Sequence, residues 1–493
     1  MSDSLNAATK VNFDLLADDK QVVRPSFIAM DATDGTIASD GTVGASDYSQ
    51  NIASPSVAVG KTDGWGTSAP IFVEFTGNDL DKTTANQGFK LIESSDPTAT
   101  RSANAASAPK ELVAGKDFTA TTSGKTLVVY LTKPLNPASN YMFAITDDLK
   151  DINGDSVGTT TSYAVLKDSA TPPSTALVKA QSITHAVESQ FAQIGVDSDN
   201  IIFSTWFTTA SVGDVLYGAK LATAKVLEAQ ILGGSASDVW QGTAVNPSLS
   251  VSDIDSVLSI TSSGTSPSAT AQGNLIFSLN VKLPYYLSND PAAFASTPWK
   301  SGMPSLAVIL NTLSSGSDTD KASLLQQLTA LGISQQDLAV VATDKATQAD
   351  VIAKLFGQKL TRADGSQLDA ERLVTRYSPV PKLQSVEEVP VTLILPQDVT
   401  CSPGTIRTTI FQHGITSSKD VLTNNNGALA DGIIDGNCVA IFAIDHPIHG
   451  DRALAGGLIT ATVDDTDPND AGNVAITSTL PRCLLPVTIC VRV

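Results

Sequence analysis

The stretch TTIFQHGITSSKDVLTNNNGALADGIIDGNCVAIFAIDHPIHGDR (408–452) combines two strand-like runs with a helix-length segment between them. The runs are TTIF (408–411) and VAIF (439–442), and a third apolar run, VPVTLILP (389–396), precedes them. A strand, turn, helix, strand order predicts a βαβ unit, whose two strands are parallel. The C-terminal part of the chain is therefore predicted to be of the α/β class.

Two cysteines lie just ahead of these runs. Cys401 and Cys438 each stand a few residues before a strand, whereas Cys483 and Cys490 lie close to the C-terminus. If the two strands are parallel neighbours, their N-terminal ends adjoin and the first two cysteines are near enough for a disulfide. Such a bond would indicate an oxidising compartment. The alternative is a pair of inert buried thiols.

The N-terminal region has a different pattern. PIFVEF (70–75), TLVVYL (126–131) and YMFAIT (141–146) are strand-length runs separated by Gly, Asp, Asn, Pro and Ser. This spacing predicts an antiparallel sandwich, and it resembles bacterial immunoglobulin-like modules.

These patterns predict a multidomain chain. The predicted parts are an immunoglobulin-like β-sandwich (1–175), a helical and β connecting unit (176–271), an α/β domain (272–475) with a helical insertion (288–383), and a tail (476–493).

Composition excludes several classes of protein. The net charge of −19 argues against nucleic-acid binding and against a helix that anchors on anionic lipid. No run approaches the roughly 18–20 apolar residues of a transmembrane helix. The first ten residues lack a basic and an apolar segment, so no secretory signal is predicted in this chain.

Three of the four histidines, His413, His446 and His449, lie within one short stretch. His413-Gly414 closes a strand and opens a loop before a helix, where an α/β-hydrolase holds a developing oxyanion with backbone N–H groups. The candidate catalytic group is therefore the backbone at Gly414, with His413 positioning the loop. The alternative is a polar strand end with a turn glycine.

The second strand leads into a polar loop that contains Asp445, His446, His449 and Arg452. We predict that these side chains fix the loop. Asp445, His446 and His449 have the chemistry of zinc ligands, but two of them share a proline-containing loop without a fixed helical face. No metal site and no cofactor are therefore assigned.

One sequence matches the G-x-S-x-G pattern of a serine nucleophile, at residues 154–158. It lies in a turn-rich part of the sandwich rather than between a buried strand and a helix, so Ser156 is rejected as a nucleophile. Asp151, Asn153 and Asp155 imitate a calcium loop, but Ser156 and Ser162 replace its glycine and glutamate. That excludes an EF-hand and leaves only a weak acidic site.

Six segments along the chain carry a resemblance: VRPSFIAMDATDGT (23–36), KTDGWGTSAPIFVEF (61–75), DNIIFSTWFTT (199–209), VKLPYYL (281–287), FQHGITSSKD (411–420) and AIDHPIHGDR (443–452). Together they resemble the bacterial virulence-factor lipase family, in which a β-rich N-terminal region with an Asp-Gly-Thr motif precedes an α/β-hydrolase domain. Here Asp34, Gly35 and Thr36 match the motif, and the resemblance implies that Gly414 and Ile415 are the oxyanion-loop positions.

The resemblance implies a lipase or phospholipase that acts on lipid esters by a serine mechanism, and an extracellular or outer-membrane location, often as a lipoprotein. Family members are longer. We expect the chain to stop after the fourth strand of the hydrolase sheet, before the catalytic serine and the rest of the triad. A frameshift near residue 475 would explain the tail and its two cysteines.

Such a fragment is expected to be inactive alone, and its last part to be poorly protected, with exposed apolar residues from VAIFAI (439–444) at an unpaired edge. The alternative function is a non-catalytic surface or adhesion module. A crevice at the strand ends of a parallel sheet would favour the hydrolase over the adhesion module.

Overall fold

The computed structural model describes residues 2–31, 33–37, 55–97, 108–288, 297–341, 344–397, 401, 403–415, 417–435, 437–453, 459–463 and 474–478. The chain divides into two compact units. The first contains residues 1–216, 305–322 and 375–377, and the second contains the remainder.

The first unit is built on two four-stranded antiparallel sheets, with strand orders β1-β2-β6-β5 and β4-β3-β7-β8. The strands are β1 (Lys10–Val11), β2 (Ile71–Thr76), β3 (Phe89–Ser94), β4 (Lys110–Leu112), β5 (Phe118–Ser123), β6 (Thr126–Leu131), β7 (Asn140–Thr146) and β8 (Ile201–Thr208).

Both sheets contribute side chains to one hydrophobic core. Along β2, Ile71, Val73 and Phe75 are buried and the residues between them are exposed, because successive side chains of a strand point to opposite faces. Phe89 on one sheet meets Phe118 on the other in an edge-to-face contact, with ring centroids 5.5 Å apart. The β-rich N-terminal region predicted from the sequence is confirmed.

The described residues form twelve α-helices. They are α1 (Ser2–Leu5), α2 (Pro55–Gly60), α3 (Ala85–Gly88), α4 (Thr161–Lys167), α5 (Ala176–Gln193), α6 (Asp214–Ile231), α7 (Val251–Asp255), α8 (Leu306–Ser315), α9 (Asp318–Ala330), α10 (Gln335–Val340), α11 (Lys345–Leu355) and α12 (Asn424–Ile434). Helices α8 to α11 lie in the segment 288–383, where helical periodicity was predicted. None of the helices in the described ranges has the length and hydropathy needed to cross a bilayer.

The second unit contains a mixed sheet with the order β10-β11-β12-β14-β13, and a short strand, β9, also pairs with β11. Its strands are β9 (Ile260–Ser262), β10 (Ser268–Ala269), β11 (Leu275–Tyr285), β12 (Ser385–Leu395), β13 (Arg407–Phe411) and β14 (Val439–Ile444). Only β13 and β14 are parallel, and α12 connects them. The parallel pair predicted from residues 408–452 is confirmed.

The expectation that VAIFAI (439–444) forms the exposed edge is wrong. This segment is β14, which lies between β12 and β13, and Ile441 is fully buried. Among the described residues β13 is the outer strand, and the side chain of Ile410 is 77% exposed. The chain order of the strands does not give their order in the sheet, because the helical connection carries β14 past β13.

Beyond this sheet, β15 (Ile459–Val463) and β16 (Val474–Ser478) form an antiparallel pair. Of the proposed out-of-frame tail, 476–493, only the end of β16 is among the described residues. Cys483 and Cys490 lie outside them.

Candidate functional site

The loops that follow β13 and β14 form the candidate site. Because the two strands are parallel, their C-terminal ends lie at the same edge of the sheet. His413 follows β13, while Asp445, His446 and His449 follow β14. The fold therefore brings together the residues that the sequence analysis singled out.

The three imidazole rings are in mutual contact. The centroid of His413 is 4.5 Å from that of His446 and 5.4 Å from that of His449. His413 is buried, whereas the other two are partly exposed. Burial lowers the pKa of His446 below its usual value, and the neighbouring His413 lowers it further.

Asp445 is completely buried and accepts hydrogen bonds from three donors. Its Oδ1 accepts from the backbone N–H of Lys419 (2.7 Å), and its Oδ2 accepts from the backbone N–H of Asp451 (2.9 Å) and from Lys419 Nζ (3.2 Å). Burial by itself would raise the pKa of Asp445, but these hydrogen bonds and the ammonium charge hold it below its usual value. The carboxylate thus ties together the two loops.

Lys419 is a member of the site that the sequence analysis missed. Its buried ammonium also pairs with Asp451 at 2.5 Å. Burial by itself would lower the pKa of Lys419, but the carboxylates of Asp451 and Asp445 raise it above its usual value. In the sequence, only its position six residues after His413, in the same loop, indicated that Lys419 could belong to the site.

Arg452 fixes the far end of the second loop. Its Nη1 donates to the backbone carbonyl of Asp445 (3.0 Å), and its Nη2 donates to Glu387 on β12 (2.8 Å). The guanidinium also lies 5.8 Å from the ring centroid of Tyr285 on β11. The sequence indicated Arg452 as a loop residue. It did not indicate Glu387 or Tyr285 as its partners, because both are distant along the chain.

Two glycines of these loops have opposite surroundings. A Cβ at Gly414 would have no heavy atom within 4 Å, so the backbone there borders open space. A Cβ at Gly450 would overlap the carboxylate of Asp445, and the φ of Gly450 is +51°. The loop conformation therefore requires glycine at position 450, whereas it does not require glycine at position 414.

The described residues contain no group of His, Cys, Asp and Glu side chains placed to hold a metal ion. Asp445, one of the three candidate zinc ligands, is engaged by the donors named above.

Cys401 and Cys438 are joined by a disulfide, with their Cα atoms 5.5 Å apart. The bond lies at the N-terminal ends of the parallel strands, where Arg407 N donates to the carbonyl of Cys438. It is thus at the opposite end of β13 and β14 from the histidines.

The motifs of the first unit serve local structure. Ser156 accepts a hydrogen bond from Lys150 Nζ (2.5 Å) within a turn. Asp151 is buried and accepts from Thr9 and Asn78 (both 2.9 Å) and from two backbone N–H groups of its own loop. In the Asp-Gly-Thr motif, Asp34 Oδ1 accepts from the N–H (2.9 Å) and hydroxyl (2.7 Å) of Thr36, around Gly35 at φ +80°.

Comparison with known proteins gives one positive result. Residues 1–240 match the family model described as bacterial virulence factor lipase N-terminal. No curated protein and no solved structure matches the chain. Residues 1–240, a little under half of the chain, are therefore similar to the N-terminal domain of bacterial virulence factor lipases.

Proposed function

We propose that this chain carries the N-terminal domain and the first part of the catalytic domain of an extracellular lipase or phospholipase. The reaction would be hydrolysis of a carboxylic ester of a lipid through an acyl-serine intermediate. One observation carries this proposal: a His-Gly loop follows β13, the third strand of at least five residues in a mixed sheet, and precedes a helix. In α/β-hydrolases the loop between the third strand and the first helix supplies an oxyanion donor.

The order of the strands supports an α/β-hydrolase sheet. The order β11-β12-β14-β13, in which β12 is antiparallel to its neighbours, is the one in which such sheets begin. The His413 loop and the Asp445 loop then occupy the edge at which open α/β sheets bind their ligands.

An immunoglobulin-like architecture is proposed for the sandwich. The strand orders β1-β2-β6-β5 and β4-β3-β7-β8 correspond to the ABED and C′CFG sheets of immunoglobulin domains. Near the start of β7, the hydroxyl of Tyr141 accepts from the backbone N–H of Asn136 (2.9 Å), which resembles the tyrosine corner of these domains. Burial raises the pKa of Tyr141 to about 12, so the hydroxyl stays neutral.

The proposed mechanism is acyl transfer. A serine activated by a histidine attacks the ester carbonyl, and the negative oxygen that forms is held by backbone N–H groups. Gly414 and Ile415 provide the N–H groups on this side. Their contribution requires close approach of the substrate, which the open space beside Gly414 permits. None of these steps needs a metal or a cofactor.

Export to an oxidising compartment is part of the proposal. The disulfide between Cys401 and Cys438 supports it, because such bonds persist outside the reducing cytosol. The family of the N-terminal domain supports it as well.

The proposal is tested in the bacterium that makes the protein. Its secreted and surface fractions are treated with a fluorophosphonate probe, which labels activated serines, and labelled polypeptides are identified by mass spectrometry. We expect a labelled polypeptide that contains the peptides around 408–452 and hydrolyses medium-chain esters or phosphatidylcholine. If the polypeptide that carries these peptides is unlabelled and inactive, the lipase proposal is wrong and the non-catalytic adhesion module replaces it.

A pair of glycine variants tests the oxyanion loop itself in the labelled enzyme. Gly414→Ala meets no steric obstacle in the structure, so the fold should be unchanged. Its Cβ would intrude where the substrate oxygen must approach, and loss of an oxyanion donor lowers kcat by roughly 100- to 1,000-fold. Gly432→Ala, also unobstructed, lies in α12 and should leave kcat unchanged.

A further inference from the structure

The two ring nitrogens of His413 have partners that specify one tautomer. Nδ1 lies 2.8 Å from the carbonyl oxygen of Gly414, which can only accept, so Nδ1 must carry the proton. Nε2 lies 2.9 Å from the backbone N–H of His446, which can only donate, so Nε2 must be bare. Both contacts require the same neutral form.

This tautomer also sets the direction of a peptide group. The carbonyl of Gly414 is held by His413 Nδ1–H and by the N–H of Ser417 at 3.2 Å. In a planar trans peptide the N–H points away from the carbonyl. The N–H of Ile415, which belongs to the same peptide, is therefore directed away from the imidazole.

The link between the two loops is reciprocal. While the backbone N–H of His446 donates to the ring of His413, the Nε2 of His446 lies 3.2 Å from the carbonyl of His413 and donates to it. The rings meet edge to face at 4.5 Å. Neither ring can turn over without the loss of a hydrogen bond between loops.

We propose that His413 is a positioning residue whose Nδ1–H tautomer, selected by the backbone of His446, orients the Gly414–Ile415 peptide. The loop after β14 thereby controls the loop after β13. A role of His413 in catalysis rests on the proposed function, because that role requires the Gly414–Ile415 peptide to face the reacting oxygen. The tautomer and its effect on the peptide do not depend on that assumption.

Protonation of His413 would break the arrangement. Protonation of Nε2 would place a hydrogen opposite the backbone N–H of His446. Nε2 could then no longer accept the hydrogen bond from that N–H. Asp445 Oδ1 lies 3.7 Å from Nε2 and already accepts a hydrogen bond from the backbone N–H of Lys419. The other titratable or charged groups of these loops are His446, His449, Lys419, Asp420, Asp451 and Arg452.

The first test is the tautomer itself. The full chain, labelled with ¹⁵N-histidine, is studied by long-range ¹H–¹⁵N NMR at neutral pH, and each of the four imidazoles is assigned by substituting it. We expect His413 to be in the Nδ1–H form. The proposal is overturned if His413 is in the Nε2–H form or averages between the two.

The second test separates the two hydrogen bonds of His413. In His413→Asn the amide can still donate from the position of Nδ1, and in His413→Gln the amide oxygen can still accept at the position of Nε2. Loss of one hydrogen bond should lower the exchange protection of the affected amide by roughly 2- to 10-fold. We expect His413→Asn to deprotect the amide of His446, and His413→Gln to shift the amide resonance of Ile415.

His449→Gln is the matched control, because the ring of His449 also packs against His413 but its Nδ1 hydrogen-bonds to the carbonyl of Pro447 in its own loop. It should leave the amides of Ile415 and His446 unchanged. If His413→Asn and His413→Gln have the same effect on both amides, His413 is only a space-filling residue and the inference fails. The fluorophosphonate experiment has a different readout, so failure of the lipase proposal remains distinguishable from failure of this one.

Discussion

Asp445 is the residue on which the two loops depend most. Its substitution by Asn removes the negative charge beside the buried ammonium of Lys419 and offers an N–H₂ group where only an acceptor fits. Removal of one partner from a buried ion pair costs about 3–5 kcal/mol. We therefore expect Asp445→Asn to lower the free energy of unfolding of the second unit by that amount, as measured by denaturant titration.

Asp451→Asn is the control for this prediction, because the Asp451 side chain is 56% exposed and the substitution keeps the backbone N–H that Asp445 accepts. Exposed ion pairs contribute about 0–1 kcal/mol. If Asp445→Asn and Asp451→Asn lower the free energy of unfolding equally, burial of the Asp445 carboxylate is not the cause of the loss.

The pH dependence of stability follows from two residues of the site. The pKa of His446 is below its ordinary 6.5 in the fold, so the unfolded chain binds more protons and stability falls as the pH drops below about 6.5. The pKa of Asp445 is below its ordinary 3.8, so its contribution is present above that value and is lost as the pH falls through the lower folded pKa. We expect two separate decreases in the free energy of unfolding on acidification.

The assignment of the first decrease can be checked with His446→Gln, which should abolish the loss of stability that begins below about pH 6.5 and leave the decrease at lower pH, from Asp445, unchanged. Denaturant titrations at a series of pH values provide the measurement. A first decrease that persists in this variant would have to come from another histidine.

At the scale of elements, the parallel pair consists of β14, which has a neighbouring strand on each side, and β13, which is the outer strand among the described residues. Ile410 on β13 is 77% exposed, and Ile441 on β14 is fully buried. Ile410→Lys should change the free energy of unfolding by no more than about 0.5 kcal/mol, whereas Ile441→Lys should cost more than about 4 kcal/mol, because it buries an unpaired charge.

An outer strand with an exposed apolar residue also invites pairing between molecules. Ile410→Lys should therefore reduce any self-association of the chain, as measured by light scattering at increasing concentration. If instead Ile410→Lys destabilises the fold strongly, β13 is not an outer strand in solution.

At the scale of the whole molecule, the core of the sandwich is larger than the hydrophobic clusters in which the parallel strands take part. The sandwich has one extensive core to which both sheets contribute, whereas β12, β13 and β14 take part in two small clusters. We expect amides of β13 and β14 to exchange faster with deuterium than those of β3 and β7. Equal protection of the two sets of strands would contradict the prediction.

The location of Ser156 gives a prediction for activity. The only G-x-S-x-G sequence of the chain forms a turn in the first unit rather than a strand-to-helix elbow. We expect the 493-residue polypeptide, expressed alone, to show no serine-dependent hydrolysis of p-nitrophenyl butyrate. Turnover that disappears in Ser156→Ala would instead identify Ser156 as a nucleophile.

Local pattern was enough to predict the individual elements. The period-2 run PIFVEF is β2, the helical periodicity of residues 176–193 is α5, and TTIF and VAIF are the parallel strands β13 and β14. These predictions succeed because strand and helix periodicities are properties of neighbouring residues. The spacing of Cys401 and Cys438 before those strands likewise placed the two thiols side by side.

The sequence by itself determined which residues have the chemistry of a site, namely His413, Gly414, Asp445, His446, His449 and Arg452. Only the tertiary structure decided what they do: Asp445 binds the ammonium of Lys419, Arg452 reaches Glu387, and the backbone of His446 selects the tautomer of His413. The physical reason is that strand order, burial and hydrogen-bond direction depend on partners far apart in the chain. No local pattern specifies which backbone N–H will face a given imidazole nitrogen.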